Sequence, residues 1–268
     1  MKRAPAAAKI NLALVVGPPR TDGRHELVTV YQRVALCDRL AVERAPTVRV
    51  DGFAGDTLVR RALESVADGT AFRAELAKRI PVAAGLGGGS SDAATALRLA
   101  NELRDVPLGD DELHTTAREL GADVPYFLAD GPQLGSGDGT ELSALELPQD
   151  YWIVLLLPKG AQKSSTGEVF AAFDARRGHE GFDERRRQLL AALEAVRRPR
   201  DLAGLPPNDL ATSPLAAELL QLGAFRADVT GAGPSVYGLF LHGAHARAAQ
   251  RRLASKGRTW LTAPAWYR

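Results

Sequence analysis

The chain has 268 residues, of which 45% are hydrophobic and 25% are charged. This length and composition suit one large or two ordinary globular domains with hydrophobic cores. The formal net charge of only +2 argues against a protein that binds nucleic acid or a membrane surface through a basic excess. The single cysteine, Cys37, excludes an intrachain disulfide, and we expect it to be a buried structural thiol in a reducing, cytoplasmic compartment.

Residue periodicity predicts a mixed α+β chain in two layers. Strands are predicted over 9–16, 27–36, 42–50, 72–80, 151–157, 225–230, 236–241 and 259–263. Helices are predicted over 56–67, 91–104, 110–120, 166–176, 184–196, 215–222 and 245–256. Turns are predicted at 17–19, 21–23 and 121–125, where glycine, proline and aspartate cluster. A change of domain near 147–151 gives two predicted domains, 1–149 and 150–268.

The segment 81–91 carries four glycines and two serines between a predicted strand and a predicted helix. Glycines let several backbone N–H groups approach one anion, and the start of the helix adds partial positive charge. Because no lysine follows the glycines, the segment is not a P-loop, and Ser90 occupies the last glycine position of a dinucleotide fingerprint. A plain flexible loop seldom runs directly into a clean helix. We therefore predict a phosphate-binding loop, with Ser90 or Ser91 as the N-cap of the next helix.

Two further side chains suit phosphoryl transfer, which needs a cation near the phosphates and a base for the acceptor hydroxyl. Lys9 opens an apolar strand beside Asn11, although a strand-end lysine that extends into water fits the same pattern. Asp123 lies in a Gly-Ala-Asp-Val-Pro turn, where it is either a base or a turn-forming residue. The residues alone leave both alternatives open.

Three other features have equally plain alternatives. His25 follows an Asp-Gly turn and is by default a surface imidazole. The segment 231–234 is either a simple turn between strands or a second backbone surface lining a site. Ser165 and Thr166 precede a predicted helix and are suited to capping it.

Taken together, three motifs resemble those of the GHMP kinase superfamily, which includes galacto-, homoserine, mevalonate and phosphomevalonate kinases. They occur in order at residues 8–12, 81–91 and 230–235, and so extend over nearly the whole chain. The resemblance implies an α+β, two-domain GHMP kinase fold. Its parts are an N-terminal ATP-binding α/β domain and a C-terminal ferredoxin-like α+β domain.

Within the superfamily, the chain resembles the 4-diphosphocytidyl-2-C-methyl-D-erythritol kinases of the non-mevalonate isoprenoid pathway. The resemblance rests on Gln32, Asp38 and the segments 8–12, 20–27, 120–125, 165–170 and 208–210. It implies an enzyme that phosphorylates the 2-hydroxyl of a cytidine diphosphate-linked polyol, with ATP as co-substrate and Mg²⁺. The sequence identifies no acidic Mg²⁺ ligand, and such an ion commonly binds through substrate phosphates.

The resemblance also assigns residues. The catalytic pair falls on Lys9 and Asp123. The ATP loop falls on Pro81, Val82, Ala83, Ala84, Gly85, Leu86, Gly87, Gly88, Gly89, Ser90 and Ser91. The family's substrate-binding positions correspond to Asn11, Arg24, His25, Thr166 and Phe170, and His25 corresponds to the histidine that binds the cytosine. Arg24 stands where the family usually has a tyrosine that packs on the cytosine, and a guanidinium can also lie flat on a ring.

Three other functions stay open at this stage. They are a sibling kinase acting on homoserine, mevalonate or a sugar, a nucleotide-binding homologue without catalysis, and an RNA-binding module. The expected partner is a small-molecule substrate, with no nucleic acid and no membrane, and the expected assembly is a monomer or weak homodimer.

Overall fold

The computed structural model describes residues 1–54, 58–161 and 165–265. These residues divide into two compact units, each assembled from separate chain segments. Unit 1 contains residues 1–8, 36–82 and 87–130, and unit 2 contains residues 9–35, 83–86 and 131–268. Because the units are interleaved along the chain, the single domain boundary placed after residue 149 stays a prediction.

The described residues form ten strands and seven α-helices. The strands are β1 Lys2–Pro19, β2 His25–Ala45, β3 Arg49–Asp51, β4 Ala71–Ala77, β5 Gln133–Ser136, β6 Glu141–Ala144, β7 Trp152–Pro158, β8 Arg226–Val229, β9 Val236–Phe240 and β10 Gly257–Thr262. The α-helices are α1 Leu58–Ser65, α2 Gly88–Asn101, α3 Asp110–Leu120, α4 Thr166–Ala175, α5 Phe182–Ala195, α6 Pro214–Gln221 and α7 Gly243–Leu253. Two short 3₁₀ helices lie at Pro125–Phe127 and Pro199–Gly204.

Several predicted elements are confirmed in type but differ in extent. The turn predicted at 17–19 is wrong, because β1 pairs with β2 and continues to Pro19. The strands predicted at 27–36 and 42–50 are largely one strand of 21 residues, β2, since pairing with its neighbours overrides local breaks. The four-residue strands β5 and β6 were not predicted, because they are too short to show a recognisable alternation of apolar and polar residues. Asp56, the predicted start of α1, lies outside the described residues.

Unit 1 combines a sheet with three helices. The C-terminal half of β2 pairs with β4 in antiparallel register, and β3 pairs with β4 in parallel. Helix α2 is buried along most of its length and packs against both α1 and α3. Its small side chains permit that close packing and are mainly Ala93, Ala94, Ala96 and Ala100. Cys37 on β2 is half-buried rather than buried, because Asp38 and Leu40 occupy the inward positions here.

A buried ion cluster joins β2, α2 and the segment that leads into the glycine loop. The Lys78 ammonium donates to Asp38 Oδ2 at 2.5 Å and to Asp92 Oδ2 at 2.6 Å, and both carboxylates are fully buried. The other oxygen of Asp38 accepts the backbone N–H groups of Arg79 and Ile80. Burial opposes the charge on Lys78, but the two carboxylates outweigh it and raise the pKa of the ammonium. This cluster holds the entry to the glycine loop against the start of α2.

Unit 2 contains the antiparallel sheet β10-β7-β9-β8 and the pairing of β2 with β5 and of β5 with β6. Helices α6 and α7 pack on the four-stranded sheet. The core between them is formed by aliphatic and aromatic side chains, chiefly Val154, Leu156, Leu219, Val236, Phe240 and Leu253. Among the described residues, the helices are all too short or too polar to cross a bilayer.

The Lys78 cluster predicts a large stability loss when the ammonium is removed. In Lys78→Met, Asp38 and Asp92 would stay buried without their shared cation, and we expect the free energy of unfolding to fall by about 3–5 kcal/mol. Denaturant titration measures this change. Lys159→Met, which removes an exposed ammonium, is the matched control and should change stability by about 0.5 kcal/mol or less. Equal losses in the two variants would contradict the role of the cluster.

Candidate active site

Lys9 and Asn11 lie two residues apart on β1, and their side chains are linked. The Lys9 ammonium donates to Asn11 Oδ1 at 2.8 Å, and Asn11 Nδ2 donates to Thr29 Oγ1 at 2.7 Å. The Thr29 hydroxyl in turn donates to the Ala13 carbonyl at 2.8 Å. Lys9 is only 4% exposed, and its Nζ lies 5.6 Å from the centre of the Tyr31 ring. The alternative of a strand-end lysine that extends into water is therefore wrong.

The C-terminal glycine turn lies against this lysine. Thr230 Oγ1 accepts the backbone N–H of Asn11 at 3.1 Å, and the turn closes through the N–H of Gly233, which donates to the Thr230 carbonyl at 3.0 Å. Gly231 has a φ of +58°, and a Cβ placed there would lie 3.6 Å from Lys9 Nζ. The turn is therefore more than a connection between β8 and β9, since its backbone faces the buried ammonium.

Part of the first glycine loop, residues 83–86, belongs to the same unit and meets the same elements. The Leu86 carbonyl accepts the backbone N–H of Lys9 at 2.9 Å, and the Ala84 carbonyl accepts that of Ser235 at 3.3 Å. Gly85 has a φ of +78°, and a Cβ there would lie 2.6 Å from the Thr230 carbonyl oxygen. Three motifs far apart in the sequence thus pack backbone against backbone.

Asn208 and Asp209 fasten the C-terminal turn to β1. Asn208 Nδ2 donates to the carbonyls of Val229 and Gly231 at 3.0 and 2.7 Å. Asp209 Oδ2 accepts the backbone N–H of Val16 at 2.8 Å and Arg185 Nε at 3.0 Å. Burial raises the pKa of the Asp209 carboxyl, although these donors oppose the shift. Both residues of this segment therefore have a structural role beside the site.

The remaining loop residues belong to unit 1, where α2 begins earlier than predicted. Its N-cap is Gly87, with a φ of 68°, and Ser91 N–H donates to the Gly87 carbonyl at 2.9 Å. The prediction of Ser90 or Ser91 as N-cap is wrong, because the left-handed glycine lets Gly88 and Gly89 enter the helix. The first-turn N–H groups of a helix lack intrahelical partners, so they are suited to an anion.

Asp123 lies in unit 1, in the predicted turn after α3. The turn closes through Val124 N–H, which donates to the Gly121 carbonyl at 3.1 Å, and Asp123 is half-buried. Pro81 and Val82 also belong to unit 1, and Val82 is 63% exposed. Since Lys9 belongs to unit 2, the pairing of Lys9 with Asp123 stays a prediction.

The predicted substrate residues His25 and Phe170 come together in unit 2. Their ring centroids are 4.6 Å apart at an interplanar angle of 31°, and the Phe173 ring meets His25 edge-on at 6.1 Å. The His25 side chain is only 9% exposed, so the interpretation of His25 as a surface imidazole is wrong. Phe170 also packs in a hydrophobic cluster with Leu14 and with Ala232 of the glycine turn.

Arg24 and Thr166 are less enclosed. The Arg24 guanidinium is 52% exposed and pairs with the carboxylate of Asp138. Burial favours the neutral form of Asp138, but hydrogen bonds from Thr140 and Arg24 together outweigh it and lower the pKa of this carboxyl. Thr166 is the exposed first residue of α4, and Ser165 is its N-cap, because Ser165 Oγ accepts the N–H of Glu168 at 3.1 Å.

Sequence patterns did not single out two polar side chains in this region. Thr29 accepts from Asn11, and Asp174 Oδ1 lies 2.9 Å from His25 Nε2. A weak signal existed for Asp174, since it lies four residues after Phe170 and therefore on the same face of the predicted helix. Thr29 pairs with Asn11 only because β1 and β2 are neighbours, which no local pattern reveals.

The close approach at Gly85 predicts a stability loss beyond that of an ordinary glycine substitution. Gly85→Ala forces an alanine into a left-handed conformation, which lowers the free energy of unfolding by about 1–2 kcal/mol. The added methyl group also clashes with the Thr230 carbonyl, which lowers it by about 1–3 kcal/mol more. Gly223→Ala is the matched control, because its φ is +94° and, among the described residues, no atom lies within 4 Å of the added Cβ. Thermal or denaturant unfolding should show the larger loss for Gly85→Ala, and the reverse order would contradict this packing.

Comparison with known proteins identifies the family and the fold of this chain. Residues 57–131 match the GHMP kinases N terminal domain, and residues 188–259 match the GHMP kinases C terminal domain. The 4-diphosphocytidyl-2-C-methyl-D-erythritol kinase of Moorella thermoacetica is 37% identical over 93% of both chains, and that of Pelobacter propionicus is 34% identical over 97% of this chain and 96% of its own. A crystal structure of 4-(cytidine 5'-diphospho)-2C-methyl-D-erythritol kinase superposes with a TM-score of 0.79 at 31% identity, covering 98% of this chain and 99% of the other. The α+β fold with two sheets is thus the GHMP kinase fold, and the chain belongs to the 4-diphosphocytidyl-2-C-methyl-D-erythritol kinase family.

Proposed function

We propose that this chain transfers the γ-phosphoryl group of ATP to the 2-hydroxyl of 4-diphosphocytidyl-2-C-methyl-D-erythritol. The observation that carries the proposal is the buried Lys9 ammonium, which lies against a glycine turn in a chain of this kinase family. An ammonium held in a largely buried place is suited to developing phosphate charge, because its interactions are stronger there than in water.

The nucleotide phosphates are the proposed ligand of the segment Pro81–Ser91. Gly85 and Gly87 have positive φ values, and the helix that starts at Gly88 directs its first N–H groups and dipole toward the loop. No side chain at Gly85 would fit against the Thr230 carbonyl, so the loop offers backbone rather than side chains there. These features favour β- and γ-phosphate binding through main-chain amides.

Lys9 and Asp123 are the proposed catalytic residues. Asp123 accepts or orients the proton of the acceptor hydroxyl, and Lys9 neutralises charge on the transferred group. Asn11 holds the Lys9 ammonium in place through its Oδ1. This network restricts the lysine side chain before any substrate binds, so less ordering is required during the reaction.

Mg²⁺ is expected to accompany ATP and would supply charge neutralisation at the phosphates. Among the described residues, no three His, Cys, Asp or Glu side chains come together in a way that would hold a metal ion. The donors present are therefore consistent with an ion carried mainly by phosphate oxygens and water. The protein's own contribution is the backbone of the loop and the fixed ammonium.

The cytidyl group is the proposed ligand of His25 and Phe170. The imidazole offers a hydrogen-bonding edge, and the Phe170 ring beside it offers an aromatic face for a base. Arg24 is engaged by Asp138, so stacking of its guanidinium on the base stays a prediction. Asn11 and Thr166 are the remaining proposed substrate contacts.

We expect the enzyme to work on this small molecule in the cytoplasm, as a monomer or weak homodimer without nucleic acid. The near-neutral net charge supports the absence of a nucleic-acid partner, and the single cysteine supports a reducing compartment.

A parallel acceptor assay tests the proposed function. The purified chain is given ATP and Mg²⁺ with 4-diphosphocytidyl-2-C-methyl-D-erythritol, homoserine or mevalonate, and ADP release and product phosphorus are measured. Phosphorylation of the first acceptor alone is the expected result. Transfer to homoserine or mevalonate would assign a sibling kinase, and no transfer to any acceptor would indicate a nucleotide-binding homologue without catalysis.

Asp123→Asn should lower kcat by about 10²–10⁴-fold, because the amide cannot act as a base. The variant should stay folded at the assay temperature, since the amide has nearly the same shape as the carboxyl, and thermal unfolding checks this. Asp150→Asn, at an exposed position, is the matched control and should keep full turnover. Near-normal turnover of Asp123→Asn would refute the assigned role.

His25→Ala should raise the KM of the cytidyl substrate by about tenfold or more and leave that of ATP nearly unchanged. The lost side chain removes a hydrogen bond and a packing surface for the base, each worth about 1 kcal/mol. Steady-state kinetics with each substrate varied in turn measures both constants. Equal increases in the two KM values would count against the placement of cytosine at His25.

A further inference from the structure

His25 has a polar neighbour outside the sequence motifs described above, Asp174. Its Nε2 lies 2.9 Å from Oδ1 of Asp174, the ninth residue of α4. The imidazole is 9% exposed and lies between Phe170, tilted against its face, and Phe173, at its edge. The two rings restrict the position of the imidazole, so the carboxylate meets one defined ring nitrogen.

That contact selects a tautomer. An ionised carboxylate has only acceptor oxygens, so a hydrogen bond at this distance requires the proton to be on Nε2. In a neutral imidazole, a proton on Nε2 leaves Nδ1 as a lone-pair acceptor. A carboxylate that orients a histidine in this way is a common second partner of functional imidazoles.

An Nδ1 acceptor can distinguish pyrimidines. Cytosine carries an exocyclic amino group that donates hydrogen bonds, whereas a uracil-type base carries a carbonyl oxygen at the same position. The Nδ1 lone pair would accept from the amino group and would repel the carbonyl oxygen. The other tautomer would reverse this preference, because Nδ1–H would donate to the carbonyl oxygen.

We propose that Asp174 is a positioning residue that holds His25 in the Nε2–H tautomer and thereby makes the site select cytosine over uracil. The selectivity part of this inference rests on the proposed function, whereas the tautomer part does not. Asp174 itself is 42% exposed on its side chain and acts only through the imidazole.

Long-range ¹H–¹⁵N correlation spectra of the ligand-free full chain test the tautomer directly. The chain has five histidines, so the His25 signals are assigned by their loss in His25→Gln. In spectra recorded at mildly alkaline pH, the expected pattern is a protonated Nε2 and an unprotonated Nδ1. In Asp174→Asn the amide can donate or accept, and the pattern should become mixed or reverse. A wild-type Nδ1–H pattern, or an unaltered pattern in Asp174→Asn, would overturn the proposal.

Substrate discrimination provides the second measurement. The ratio of kcat/KM for the cytidyl substrate to that for its uridyl analogue should fall about tenfold in Asp174→Asn, the equivalent of one hydrogen bond. The KM of ATP should stay unchanged. Asp150→Asn, an equally conservative change at an exposed site, should keep the wild-type ratio. An unchanged ratio in an Asp174→Asn variant that still phosphorylates the cytidyl substrate would overturn the inference.

The two measurements separate this inference from the proposed function. A wild-type chain that phosphorylates neither nucleotide-linked substrate would refute the proposed function, while the spectra would still decide the tautomer. If the wild-type chain phosphorylates the cytidyl substrate but the His25 tautomer is the same with and without the Asp174 carboxylate, the proposed function stands and the inference is refuted.

Discussion

The approach of two backbone segments, residues 84–86 and 230–235, is the constraint on which the candidate site in unit 2 depends. Ser235 N–H donates to the Ala84 carbonyl, and the space beside Gly85 is filled by the Thr230 carbonyl. A side chain at Gly85 would push these segments apart. The glycine is therefore needed for the fit of protein against protein, in addition to any role toward a phosphate.

Lys9 gains its position from the same packing. Its backbone N–H is bound by Leu86, and its ammonium is bound by Asn11, which is in turn bound by Thr29. A buried ammonium without partners would be costly, so this chain of hydrogen bonds is what allows a charge to lie inside the unit. The same bonds limit the motion of the ammonium, which suits the charge-stabilising role proposed for Lys9.

Polar clusters fix backbone segments in both units. In unit 1, Lys78 binds the buried carboxylates of Asp38 and Asp92 and holds the start of α2. In unit 2, Asn208 binds the Gly231 carbonyl of the C-terminal turn, and Asp209 binds the Val16 N–H of β1. None of these residues is a proposed substrate contact, yet Lys78 and Asn208 each fix a backbone segment beside a proposed one. Substitutions at such positions would alter activity through geometry as well as stability.

Local patterns identified much of this molecule. The glycine loop was predicted from its residue types and their spacing, whereas the roles of Lys9 and Asp123 were implied only by the family resemblance and stay predictions. Helix α3 was predicted at its observed bounds, 110–120. Patterns failed where pairing between strands decided the outcome, as in the merging of two predicted strands into β2. They also placed the N-cap of α2 at a serine, since propensity favours serine there while the observed backbone uses a left-handed Gly87.

Residue types and their short-range order therefore supplied the groups proposed for the chemistry of this chain: a glycine loop, a cation, a carboxylate and an imidazole. Their surroundings depended on contacts between residues distant in sequence. Lys9 became a buried ammonium because Asn11, Leu86 and Gly231 surround it, and His25 acquired a directional partner because α4 brings Asp174 to its Nε2. Such contacts arise from burial and hydrogen bonding across the folded units, which one-dimensional spacing does not encode.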